Sequence, residues 1–441
     1  MTEPYRFTAT EALALIRENK LTVEAYASSI LSRIQARDAT VKAWAYLSPE
    51  FVLEQARKLD SIPVEQRGPL HGLPVGVKDV IYTKDMPTEH NSPLYKKSIV
   101  PVDAAPVAIL RAAGALIFGK TTTTEFAATT AGPVTCNPHD PTRTPGGSSS
   151  GSGAAVGDYQ IPIALGTQTG GSTIRPGSFN GIYAIKPTWG AISREGLKVY
   201  SLILDTLGVY GRSVEDLELV LGVLGVADDQ PLQGCEFKGI KGGRFGIVKT
   251  CVWDKAGKGT IAAMSKAAEL LTQHGAIVEE VELPAEFDNM PAWHAAIMAG
   301  DGRTSFLSEY RVDKSQIAEF LVGHVENSSG YTHAQLLEAL DGIGMLRPKI
   351  DEIAGRYAAL LTPSVPDEAP VGIEGTGSAA FCCMWTALHT PVVNVPGFHG
   401  ENGLPIGVSL VAPRYRDQHL LAVATEVGKI FAEQGGWKSS L

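Results

Sequence analysis

The 441-residue sequence lacks any uninterrupted apolar run approaching the roughly 20 residues that cross a bilayer. The strongest candidate, residues 104–118, contains Arg111 and reads instead as a core helix feeding a strand at 115–118. The opening residues, MTEPYRFTATEALALIRENK, are polar and acidic where a secretory leader has its apolar centre. The expectation is a cytoplasmic protein with no membrane partner. Cysteine is scarce: Cys136, Cys235, Cys251, Cys382 and Cys383 are an odd count without C-x-x-C spacing, which implies neither a disulfide framework nor a zinc site. The vicinal pair Cys382–Cys383 reads as core packing rather than redox chemistry. Basic charge is also short, and a formal net charge of −9 speaks against a nucleic-acid partner. No repeat, low-complexity tail or coiled coil is present.

What remains is the pattern of a globular α/β protein. Thr8-Ala-Thr-Glu11 is a capping box. Val23, Tyr26, Ala27, Ile30, Leu31 and Ile34 follow helical spacing and predict an amphipathic helix. Ser213-Val-Glu-Asp216 opens another, running to about Leu224. Residues 244–248 read as a strand, 260–274 as a helix and 277–283 as a strand. Alternation of this kind predicts a mainly parallel or mixed sheet with helices on both faces.

The chemistry concentrates between Thr144 and Pro187, where Ser148 and Ser172 each follow two glycines. Glycine allows tight turns and close backbone approach. A serine on such a turn, with backbone N–H groups aimed alongside it, suits acyl transfer. GGSSSGSG also has the composition of a flexible linker. The strand-type run at 161–165, broken by glycines at 166–171, argues against that. Ser172 does not sit in a G-x-S-x-G elbow, so a serine hydrolase of another type is indicated.

A serine needs a base. His71, His90, His139 and His389 belong to no motif and read as turn or surface residues. Lys78 is the alternative, a single lysine in an apolar strand-type stretch at 73–80. Buried, it would lose hydration and become a neutral proton acceptor. On a surface strand it would simply pair with Asp79. Local sequence leaves both open.

Lys78 in GVKD, Ser148 in GGSSSGS and Ser172 in TGGSTIRP together resemble the amidase signature family. LHGLPVGVKD, NPHDPTRTPGGSSSGS, IALGTQTGGS, GIYAIKPTWG, LDTLGVYGRSVEDLELV and GLPIGVSLVAPRYRDQHLL resemble family segments, in family order. The resemblance implies one α/β domain over 1–441, a large mixed sheet with helices on both faces. Core motifs would occupy 71–216 and 356–425, and a variable substrate-side region about 284–346. It implies Ser172 as nucleophile, Ser148 as bridging serine after a cis peptide bond at Gly147–Ser148, and Lys78 as base. The oxyanion hole would be the backbone N–H groups of Thr169, Gly170, Gly171 and Ser172. No metal or cofactor is implied. Three departures stand out: Ser150 replaces a glycine, Gln168 replaces the common Asp of G-T-D-x-G-G-S, and an inserted Thr173 moves Arg175 one position along.

Small amides, esters and carbamates (urethanes) are the substrates implied, for a monomer or homodimer. Thr129, Thr130 and Trp293 are candidate substrate contacts on the variable segments 125–136 and 284–346. Trp293, Met298 and Phe306 fit a hydrophobic pocket, and helix packing explains them better. Two readings remain: a stand-alone amidase, which the Gln168 and Thr173 variants and the lack of an added domain favour, or an amidotransferase-type subunit that works with a partner protein.

Overall fold

The computed structural model describes residues 3–228 and 237–441; Cys235 lies outside them. Eleven strands among these residues form one sheet: β1 Trp44–Tyr46, β2 Pro74–Lys78, β3 Leu116–Thr121, β4 Ile163–Gln168, β5 Tyr183–Lys186, β6 Thr206–Gly211, β7 Arg244–Ile247, β8 Ile277–Glu280, β9 Ala359–Pro363, β10 Val392–His399 and β11 Pro405–Val411. Their order is β1-β3-β2-β4-β6-β5-β10-β11-β9-β7-β8. β2 runs parallel to β3 and β4, and β7 parallel to β8 and β9, whereas the central strands pair antiparallel, so the sheet is mixed.

Successive strand residues point to opposite faces, and here both faces are buried. Ile117, Ile163, Leu165, Val393, Val395, Val408 and Leu410 join one core. Their neighbours Leu116, Phe118 and Ala164 face a second core, and Val392, Leu360 and Val411 a third. Helices therefore cover both sides, as the alternation of elements predicts.

Local signals hold where they rest on local physics. Thr8 and Glu11 form a reciprocal capping box at the Ala9–Arg17 helix, and the Ser213 side chain accepts from the Asp216 N–H at the start of Val214–Val223. Boundaries shift elsewhere. β4 continues to Gln168, so the turn begins at Thr169 rather than at Gly166. The 104–118 stretch divides into the helix Ala105–Ala112 and β3. The linker alternative fails: Ser150–Gly157 is a helix buried at every residue. A Cβ on Gly151 would lie 2.1 Å from the Ala43 carbonyl oxygen and 2.4 Å from the Thr122 nitrogen. Glycine there lets the helix lie directly against backbone, which a solvated linker has no need to do.

Candidate active site

Lys78 is the last residue of β2, opposite Thr121 of β3 and beside β4, whose Leu165 pairs with Val77. It points away from the core that takes Val75 and Val77, and it is fully buried. Its Nζ lies 2.7 Å from Ser148 Oγ and 2.7 Å from Thr167 Oγ1. Burial holds the amine well below the ordinary lysine range; Asp205 works against that shift and Arg175 with it. A neutral amine facing two hydroxyls can accept a proton from either.

The pairing of Lys78 with Asp79 on a surface strand does not occur. Asp79 turns to the buried Lys120, 3.3 Å away. Burial raises the Asp79 carboxyl to about 6 and lowers the Lys120 amine to about 8.

Ser148 is buried beside Lys78, and the Gly147–Ser148 peptide bond is cis. Ser172 is half-buried on the loop between β4 and the helix Ile174–Phe179. Arg175 ties the two serine segments together: its Nε donates to the Gly147 carbonyl at 3.2 Å, Nη2 donates to the same oxygen, and Nη1 donates to the Gly377 carbonyl at 2.6 Å. Tyr210 donates its hydroxyl to the Ser172 carbonyl at 3.1 Å. Among the described residues the Ser172 hydroxyl makes no hydrogen bond, to Ser148 or otherwise, and the N–H groups of Gly170, Gly171 and Ser172 have no partner.

Sequence reasoning missed several groups around this loop. Thr167, the second partner of Lys78, falls in the stretch the sequence reads as a glycine break, but it lies on β4. Asp205 accepts from Thr169 Oγ1 at 2.6 Å and from the Tyr200 N–H at 2.7 Å, and burial raises its carboxyl to about 6 despite these bonds. His294 lies 2.9 Å from the Thr169 carbonyl oxygen through Nε2. Burial works to lower its pKa, but the neighbouring Cys383 and the Thr169 carbonyl outweigh it and the pKa is raised. Cys382 is core packing, with its thiol donating to the Ser364 carbonyl at 3.2 Å. Cys383, half-exposed beside His294, is not only that.

His71, His90 and His389 are buried rather than at the surface, and His139 is half-buried. Burial pushes His90 and His389 down to about 3, so both are neutral at ordinary pH. Thr129 is buried; Thr130 is exposed, its carbonyl accepting from the Thr376 N–H at 3.1 Å. Trp293 packs over Gly342, where a Cβ would lie 2.5 Å from its ring. Met298 and Phe306 also join apolar clusters. None of the candidate contacts hydrogen-bonds to Lys78, Ser148 or Ser172 among the described residues. No group of three or more His, Cys, Asp or Glu in those residues could hold a metal ion, and no helix is long and apolar enough to cross a membrane.

Residues 25–421 match the family model described as Amidase. A glutamyl-tRNA(Gln) amidotransferase subunit of Chloroflexus aurantiacus is 32% identical, with 96% of each chain covered. The native peptide amidase of Stenotrophomonas maltophilia superposes with a TM-score of 0.81 at 25% identity, covering 99% of each chain. A structure described as a vestigial protein complex that reveals the origins of an s-triazine catabolic enzyme gives a TM-score of 0.85 at 27% identity, covering 97% of this chain and 99% of that one.

Proposed function

The chain belongs to the amidase family of hydrolases acting on C–N bonds, and from that premise we propose that it cleaves small amides through an acyl-enzyme on Ser172, with Ser148 and Lys78 as proton relay. The observation that carries this reading is the buried Lys78 amine 2.7 Å from Ser148 Oγ, its pKa lowered by burial. Lys78 takes a proton from Ser148, Ser148 takes one from Ser172, and Ser172 Oγ attacks the carbonyl carbon. The amides of Thr169, Gly170, Gly171 and Ser172 receive the oxyanion, where one donor is typically worth about 3–4 kcal/mol. The relay then runs in reverse to protonate the leaving nitrogen, and water hydrolyses the acyl-enzyme with Lys78 again accepting the proton.

The same machinery acts on esters and on carbamates, because it handles a carbonyl common to all three. We assign the choice among them to groups outside the relay, with Thr129, Thr130 and Trp293 as the residues to vary. One sheet carries all eleven described strands, which supports treating 1–441 as one domain.

A second reading is an amidotransferase-type subunit, favoured by the 32% identity, over 96% of this chain, to the Chloroflexus aurantiacus protein. Assaying the purified chain alone with p-nitroacetanilide and an aryl carbamate separates the two. Turnover without a partner supports the stand-alone hydrolase; turnover only with partner proteins supports the second reading.

A further inference from the structure

The loop that follows β4 is held by side chains the relay does not use. His294, in the helix Met290–Ser305, puts Nε2 2.9 Å from the Thr169 carbonyl oxygen. Thr386, in the helix Ala380–Ala387, donates its hydroxyl to the next carbonyl, that of Gly170, at 2.6 Å. The Gln168 amide donates to Thr386 Oγ1 at 2.9 Å, which leaves the hydroxyl's single proton for a carbonyl. Gly170 at 2.6 Å is a closer acceptor than Cys382 at 3.1 Å.

The two helices pack against each other, so two consecutive carbonyls are drawn toward the same side of the loop. In a planar trans peptide the N–H points opposite to the C=O. The N–H groups of Gly170 and Gly171 are thereby turned the other way, where they have no partner among the described residues. Gln168 also caps the next helix, its Oε1 accepting from the N–H groups of Thr173 and Ile174 at 2.8 and 3.0 Å. An ionised Asp or Glu could accept those two bonds but has no proton to give Thr386. An amide at this position does both.

We propose that His294, Thr386 and Gln168 are positioning residues that pre-set the Gly170 and Gly171 amides for the oxyanion, an inference that rests on the acyl-enzyme reading above. Preorganised donors act on the transition state more than on the bound substrate, so the loss belongs in kcat rather than KM. The test measures kcat and KM for p-nitroacetanilide, and Kd for phenylboronic acid, whose adduct on a serine places an oxygen where an oxyanion would sit. His294→Ala and Thr386→Val should each lower kcat about 10- to 100-fold with KM within about threefold. Phenylboronic acid should weaken in parallel. His294→Gln and Thr386→Ser should recover most of both, and Gln168→Glu, read at a temperature where it is fully folded, should lower kcat and boronate affinity as Thr386→Val does. Retention of kcat and boronate affinity within about twofold, or a loss that follows stability and is not rescued, overturns the proposal. Should the alanine or valine variants fail to fold, Gln168→Glu decides it by the same criteria. Failure of the underlying reading looks different: Ser172→Ala would remain active, and the wild type would not bind the boronate.

Discussion

Two stretches of this chain read Gly-Gly-Ser, and their glycines serve different ends. In the first, a Cβ on Gly147 would lie 2.5 Å from Thr376 Cγ2, and one on the nearby Gly151 would run into the Ala43 carbonyl. Glycine there is a packing requirement of a buried segment. In the second, a Cβ on Gly170 would meet nothing nearer than Cys383 Sγ at 3.5 Å, while the amides of Gly170, Gly171 and Ser172 stay unpaired among the described residues. At Gly170 glycine keeps space open beside the donors, whereas a Cβ on Gly171 would lie 2.9 Å from Ala379 Cβ and 3.0 Å from Cys382 Cβ. The same local composition thus supports Ser148 in a buried segment, with Gly146 at a φ of +82°, and leaves unpaired donors beside open space at Gly170.

If the second stretch carries the nucleophile, Ser172→Ala should lower kcat by about 10⁴-fold or more at unchanged thermal stability. Activity within about tenfold of wild type, measured with the same anilide, would break the division at its root. Next in size, Lys78→Ala should cost about 10³-fold, because it removes the acceptor from the supporting side. The pH dependence has a definite sign. Burial lowers the Lys78 pKa, protonation below that pKa removes the acceptor, and activity therefore falls as pH falls through it. The rate should be higher at mildly alkaline than at acidic pH, and a profile flat between about pH 5 and 9 would sink the lysine-base assignment.

The packing half of the comparison is sharpened by stability rather than rate. Gly151→Ala forces a methyl onto backbone atoms and should cost about 2–3 kcal/mol in denaturant unfolding. Gly170→Ala has ordinary van der Waals room and should change stability by less than about 0.5 kcal/mol. Equal costs at the two positions would show that the segments do not differ as described. The smallest expected effect on rate is on selectivity: substitutions at Thr129, Thr130 or Trp293 should shift the amide-to-carbamate ratio of kcat/KM about tenfold or more, while Ser148→Ala lowers both rates together. A ratio moved by Ser148→Ala and not by the loop variants would reverse that assignment.

Much of this arrangement is legible in the sequence. Capping at Thr8 and Ser213 rests on residues three apart, and the α/β alternation rests on local periodicity. Lys78, Ser148 and Ser172 are legible because their motifs resemble a family, although burial, which excludes the pairing of Lys78 with Asp79 on a surface strand and supports the proposed base, is a property of the assembled sheet. The residues that went unread are joined across long separations: Thr167 to Lys78 by the parallel pairing of β2 with β4, His294 to Thr169 and Thr386 to Gly170 by helix packing. No local pattern announces such partners. Gln168 was the exception, visible as a departure from the family pattern, with its second partner Thr386 out of sight 218 residues away.

The central claim is that Ser172 is the serine that becomes acylated and that Lys78 activates it. Labelling the purified protein with a fluorophosphonate and mapping the modified peptide tests it most directly. The adduct should fall on Ser172 alone in the wild type, form far more slowly in Lys78→Ala and be absent in Ser172→Ala. An adduct on Ser148 or another serine, or labelling of Ser172 at an undiminished rate without Lys78, would contradict the account.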